Sequence, residues 1–267
     1  MKLFFRKYGN GPPLIILHGL YGSSDNWVTT AKNIGNYFTV YLPDQRNHGQ
    51  SPHSNTHNYN AMRDDLQELA EDLNLDKFFL AGHSMGGKTA ISYALKWPDK
   101  LHGLLIADIS PFISEADSQT SMDTHFAILT TILDTDLSGV SSRNEAGLLL
   151  SQGIKPEKIQ GFIMKNLHRK PDNTFTWKLN AHSLFNNLDK IMEGILHRGV
   201  SDNQITGFPV IFLKGKNSDY LPESDFSDIL RIFPAAEFIE VPDAGHWIHA
   251  DQPDEVQKNL IRLLRDS

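Results

Sequence analysis

Residues 82–87 read Gly-His-Ser-Met-Gly-Gly, and they stand between an apolar run, Phe78-Phe79-Leu80-Ala81, and an amphipathic stretch from Met85 to Lys96 that stops at Trp97-Pro98. A strand that passes straight into a helix through so tight a turn brings two backbones closer than a β-carbon allows, which accounts for the flanking glycines. The turn holds Ser84 in a strained conformation with its Oγ exposed, beside a helix N-terminus that favours negative charge. A junction of this kind needs a sheet with helices packed on it.

The rest of the chain supplies both. Leu14–Leu17, Phe38–Leu42 and Leu104–Asp108 are short continuous apolar runs, each ending in turn chemistry. Residues 61–73 place Met62, Leu66, Leu69, Ala70 and Leu73 on one helical face. Continuous apolar strands separated by helices predict an α/β fold, its mostly parallel central sheet flanked by helices on both faces. From Phe112 to Thr206 the rhythm breaks: helical patterns such as Phe126–Leu133 persist, without a strong strand. Strands resume at Pro209–Leu213 and Glu237–Val241, and a last helix spans about Asp254–Leu264. The pattern predicts a core of residues 1–111 and 207–267, with residues 112–206 inserted as a small all-helical cap domain. The insert is too rich in Phe, Leu and Ile for a structureless loop.

Composition narrows the function classes. A net charge of −7 disfavours non-specific binding to nucleic acid or anionic lipid. The absence of cysteine excludes a disulfide framework, thiolate zinc sites and a cysteine nucleophile. No apolar run approaches the roughly 18 residues of a membrane span, and the first residues lack a secretory apolar region, so a cytoplasmic protein without membrane insertion is expected. His53 and His57 sit in a polar loop with no acidic third ligand nearby, which argues against a metal site.

Three segments carry chemistry. Gly82–Gly86 is the G-x-S-x-G nucleophile elbow, which makes Ser84 the candidate nucleophile. Acyl transfer creates an oxyanion, and preorganised backbone N–H groups stabilise it best. One donor follows the nucleophile, Met85; the other lies on the His18-Gly19 loop, where Leu20 is the natural candidate and His18 supports the loop. Ala244-Gly245-His246-Trp247 lies just past the last strand, where a base for Ser84 must arrive, so His246 is the candidate base and His249 is read as structural.

The order HG, GHSMG, insert, GHW resembles the α/β-hydrolase superfamily over the whole chain. LPDQRNHGQSP, HSMGGK, ADISP, GKNSDY and AGHWIHADQP resemble, more narrowly, the YbfF-type bacterial esterases and their mitochondrial relatives. The resemblance implies an α/β-hydrolase fold, hydrolysis of carboxylic esters or acyl thioesters such as acyl-CoA, and a helical cap over the site. Asp44 and Arg46, in the stretch after the second strand, either touch substrate or brace loops beside the oxyanion hole.

Two residues compete as the acid that orients His246. The superfamily pattern G-x-x-D after the insert reads Gly215-Lys216-Asn217-Ser218-Asp219 here, with serine in the acid position and Asp219 one residue late. Asp108 ends the strand before the insert, a rigid place from which to aim a carboxylate. We expect Asp108 to be the acid, with Ser218 bridging it to His246. Within the insert, residues 151–178 carry six cations against two anions. Lys165, Arg169 and Lys170 there form either a solvated face or a dock for an anionic tail such as the phosphates of coenzyme A.

The expected reaction is acyl transfer through an acyl-enzyme on Ser84, acting on a small-molecule ester or thioester and requiring no metal or organic cofactor. A cofactor-free perhydrolase or carbon–carbon hydrolase on the same triad is a second reading, and a non-catalytic receptor of this fold a third.

Overall fold

The computed structural model describes residues 1–113, 118–197 and 204–267. The strands are β1 (Phe5–Tyr8), β2 (Pro13–Leu17), β3 (Thr39–Pro43), β4 (Phe78–His83), β5 (Leu101–Ala107), β6 (Leu167–Arg169), β7 (Phe175–Trp177), β8 (Val210–Gly215) and β9 (Ala236–Val241). Helices α1 (Val28–Asn33), α2 (Tyr59–Asp72) and α3 (Met85–Lys96) alternate with the first strands. The run α4 (Ser118–Asp134), α5 (Arg143–Gly153), α6 (Glu157–Ile163), α7 (Ala181–Asn186) and α8 (Leu188–Met192) lies between β5 and β8, and α9 (Phe226–Ile232), α10 (Ile248–Asp251) and α11 (Pro253–Arg265) follow β8.

Seven strands form one sheet in the order β1-β3-β2-β4-β5-β8-β9. All neighbours run parallel except β1, which pairs antiparallel with β3. The central strands β2, β4 and β5 are buried on both faces, as continuous apolar runs require. One face packs under α2 and α3, where Leu66, Ala90 and Tyr93 meet Ile15, Leu80 and Ile106. The other packs under α1 and α11, where Ala31, Leu260 and Leu263 meet Ile16, Ala81 and Leu213.

Three strands depart from the sequence expectation. Phe5–Tyr8, which the strand pattern above does not include, carries Arg6 and Lys7 at the sheet edge, where its residues stay half-buried or exposed. The stretch expected to be all-helical also contains the hairpin β6–β7. Its turn is Pro171-Asp172-Asn173, with Asn173 at a φ of 67° and Lys170 N–H bonded to Thr174 O at 2.8 Å. A proline fixing one turn residue and an asparagine accepting the left-handed one are sufficient for this reversal.

The segment between β5 and β8 lies over the carboxyl ends of the strands. Ile128, Leu129, Leu150, Ile163 and Leu184 from this segment pack with Leu20, Tyr21, Tyr59 and Met85. The expected junctions of the insert, near residues 112 and 206, adjoin residues 114–117 and 198–203, which lie outside the described residues. Among the described residues no helix is long and apolar enough to cross a membrane.

Candidate active site

Ser84 sits between β4 and α3 at φ 53° and ψ −121°, a region that costs a non-glycine residue on the order of 1–3 kcal/mol. The close approach that demands glycines is visible at two positions. A β-carbon on Gly82 would lie 2.3 Å from Gly86 O, and one on Gly86 would lie 2.5 Å from Leu17 O.

His246, in the loop after β9, places Nε2 3.0 Å from Ser84 Oγ and Nδ1 2.8 Å from Asp108 Oδ2. The Tyr220 ring stacks on the imidazole with centroids 3.7 Å apart, and His83 Nε2–H donates to the His246 carbonyl at 2.7 Å. These two contacts fix the ring and its loop, and sequence reading assigned neither. Asp108 is fully buried at the end of β5 and takes Gly215 N–H on Oδ1 at 2.9 Å.

Of the two acid candidates, the geometry brings Asp108 to His246 and leaves Asp219 exposed at the surface. Ser218 does not bridge them as expected. Its hydroxyl donates to Asp108 Oδ2, the same oxygen that receives His246 Nδ1, so the serine steadies the carboxylate from the side. The reason is reach: Asp108 already touches the imidazole and leaves no gap for a hydroxyl to fill.

Leu20 and Met85 line a small cavity of about 40 Å³ together with Ser84, Lys88, His125 and Tyr220. Neither the Leu20 nor the Met85 N–H is engaged in a backbone hydrogen bond among the described residues. The loop carrying Leu20 is held by two buried histidines. His18 donates Nδ1–H to Gly19 O at 2.8 Å and accepts Gln45 N–H on Nε2 at 2.9 Å. His48 does the equivalent with Arg46 O at 2.9 Å and Tyr21 N–H at 3.2 Å. Burial pushes His18 down to about 4 and His48 to about 3, so both stay neutral and each can donate with one nitrogen and accept with the other.

Asp44 and Arg46 brace loops. Asp44 accepts Ser24 N–H at 2.6 Å and Gln50 N–H at 2.8 Å, while Arg46 grips Asp65 through Nε at 2.6 Å and Nη2 at 2.8 Å. His249 stacks on Trp27 and meets His83 edge-on, each at 4.7 Å between centroids. His57 lies against Asn47 and Met85, and no group of three metal-binding side chains occurs among the described residues. Lys88, the lysine that ends HSMGGK, is buried; it donates to Glu193 O at 2.8 Å, and desolvation lowers its pKa to about 8.

In the insert, Lys165, Arg169 and Lys170 are exposed. Other cations nearby are already engaged: Lys158 pairs with Asp251 at 2.7 Å, and Arg143 Nη1 donates to Leu167 O at 2.8 Å.

A strained serine after the fourth strand, a histidine after the last and a carboxylate between them define the α/β-hydrolase class. The alpha/beta hydrolase fold family matches residues 12–134. The chain belongs to that family and is an esterase- or lipase-like hydrolase. It is 38% identical to the sn-1-specific diacylglycerol lipase ABHD11 of Mus musculus over 256 residues, covering 95% of this chain and 81% of the relative. It is 30% identical to esterase YbfF of Escherichia coli strain K12, covering 96% of this chain and 94% of that one. Among solved structures, a marine microorganism esterase superimposes with a TM-score of 0.92 at 42% identity, covering 98% of this chain and 99% of the other.

Proposed function

We propose that this hydrolase cleaves carboxylic esters or acyl thioesters through an acyl-enzyme on Ser84. His246 takes the Ser84 proton as the oxygen attacks the carbonyl carbon, and Asp108 holds the imidazole in the Nδ1–H tautomer and stabilises its cation. The N–H groups of Leu20 and Met85 hold the oxyanion. Collapse of the tetrahedral intermediate passes the proton from His246 to the leaving oxygen or sulfur. Water, deprotonated by the same histidine, then releases the acid. Only protein groups and water enter these steps.

The observation that carries this reading is the continuous chain Asp108 Oδ2, His246 Nδ1 at 2.8 Å, His246 Nε2, Ser84 Oγ at 3.0 Å. Residues 1–111 and 207–267 act as the catalytic core, and residues 112–206 as a cap over the pocket. The exposure of Lys165, Arg169 and Lys170 supports their docking an anionic tail such as the phosphates of coenzyme A. The test is a ladder of p-nitrophenyl esters beside a ladder of acyl-CoA thioesters, with a fluorophosphonate label on the wild type and on Ser84→Ala. Turnover and labelling of the wild type, both lost in the variant, are expected. A wild type that neither turns over nor labels would return the chain to the non-catalytic reading.

A further inference from the structure

The loop that offers the Leu20 N–H is held from two sides, and one of them is the inserted segment. Gly22 N–H bonds to Gly19 O at 3.0 Å, closing a turn with Leu20 and Tyr21 at its centre. Tyr21 sits at a φ of 61°, whereas Leu20 is not among the positive-φ residues, which makes this a type II turn. The third position of such a turn normally takes glycine or asparagine; a tyrosine stays there only when its surroundings hold it.

Every polar group of Tyr21 is tied down. Its N–H donates to His48 Nε2 at 3.2 Å, on the core side. Its carbonyl accepts Asn166 Nδ2–H at 2.8 Å, and its hydroxyl meets His125 Nδ1 at 3.2 Å. Asn166 and His125 both lie between β5 and β8. Asn166 is almost fully buried at 3% exposure, and its amide also donates to Ile163 O at 3.3 Å. His125 is lowered to about 4 by desolvation, so its imidazole is neutral and free to accept the tyrosine hydroxyl.

We infer that Asn166 is a positioning residue: by holding the Tyr21 carbonyl it keeps the turn in its type II form and aims the Leu20 N–H at the oxygen that develops negative charge beside Ser84. Without that hold Tyr21 leaves positive φ, the Tyr21–Gly22 peptide turns so that Gly22 N–H lets go of Gly19 O, and the Gly19–Leu20 peptide that carries the donor loses its aim. The inserted segment therefore completes the oxyanion site as well as covering it. This inference rests on the acyl-transfer reading above, and its test separates the two.

The experiment compares Asn166→Ala, Tyr21→Gly and the double variant with wild type on a short p-nitrophenyl ester, together with inhibition by an arylboronic acid that forms a tetrahedral adduct on the serine. Asn166→Ala is expected to lower kcat between tenfold and a hundredfold with KM nearly unchanged, and to weaken boronate inhibition by a similar factor. Glycine occupies positive φ without support, so adding Tyr21→Gly to Asn166→Ala should restore kcat to within about threefold of Tyr21→Gly alone. Loss of packing in the cap would not be repaired by glycine in a different loop, so the rescue distinguishes positioning from structure. If the glycine variants fail to fold, Tyr21→Asn serves in their place, since asparagine also tolerates this conformation. An unchanged kcat in Asn166→Ala, or a loss that neither substitution at position 21 repairs, overturns the inference. A wild type inert towards every ester would instead overturn the acyl-transfer reading.

Discussion

Replacing Asp108 by asparagine separates charge from shape, because the side chain keeps its size at a site with no spare room. The carboxylate accepts three hydrogen bonds: His246 Nδ1 and the Ser218 hydroxyl on Oδ2, and Gly215 N–H on Oδ1. An asparagine must turn its NH2 towards one side or the other. Turned towards Oδ1 it faces the Gly215 N–H donor to donor, and a buried unsatisfied pair costs about 1–3 kcal/mol of stability. Turned towards Oδ2 it donates to His246, fixes the tautomer with hydrogen on Nε2, and deprives Ser84 of its base. In either orientation the cationic imidazole loses the negative charge 2.8 Å away.

For a serine hydrolase triad the corresponding loss is about 10⁴-fold in kcat, or roughly 5 kcal/mol at 1.36 kcal/mol per factor of ten. Asp108→Asn is therefore expected to lower kcat by three to four orders of magnitude on a short p-nitrophenyl ester, with KM changed less than threefold. Ser218→Ala removes one hydrogen bond to a charged group, about 1.5–3 kcal/mol if it is wholly expressed in the transition state, or roughly ten- to a hundredfold. Asp219→Asn alters an exposed side chain and should cost less than twofold. Stopped-flow turnover of the three variants, each first checked by thermal unfolding, gives the ranking. A larger loss in Asp219→Asn than in Asp108→Asn would refute the assignment of the acid.

Three further outcomes follow from the same geometry. His18 and His48 are neutral and buried in the folded chain, with pKa values near 4 and 3, but titrate near 6.5 when unfolded. Because the unfolded state binds the extra protons, their contribution is complete above pH 6.5 and falls away towards pH 4 and pH 3, about 3 kcal/mol for His18 and about 5 kcal/mol for His48, of which about 3 kcal/mol each is lost by pH 4.5; urea unfolding at pH 7 and pH 4.5 tests it, and equal stability at both would exclude it. Gly86→Ala drives a β-carbon to 2.5 Å from Leu17 O and 2.6 Å from His18 O, both backbone, so a loss of about 3 kcal/mol or failure to fold is expected in calorimetry. Neutralising Lys165, Arg169 and Lys170 together should raise KM for an acyl-CoA about tenfold more than KM for a short neutral ester, and added salt should reproduce the difference in the wild type; equal increases would make the patch a solvated face.

The residues that gather at the site are legible in the sequence because each interrupts an apolar strand at its carboxyl end. Ser84 follows Phe78–His83, Asp108 follows Leu101–Ala107 and His246 follows Ala236–Val241 shortly after. In a parallel sheet those ends share one rim, so strand pattern alone brings three distant residues together. The supports do not interrupt anything. Asn166 reaches Tyr21 across 145 positions, and Tyr21 reaches His125 across 104, each through a single polar contact that leaves no periodic trace. The His18 and His48 pair shows the same limit: a sequence reveals titratable rings near a loop, but burial makes them neutral linkers, and burial belongs to the assembled fold. Ser218 lies between these cases. Its place in the G-x-x-D pattern marks it as a departure, yet whether it bridges or flanks depends on how far the Asp108 carboxylate extends, a distance set by the β5–β8 register that pairs Ala107 with Leu213. That register brings Gly215 N–H onto Oδ1 and leaves Oδ2 facing His246 and Ser218 together, so the serine can only flank.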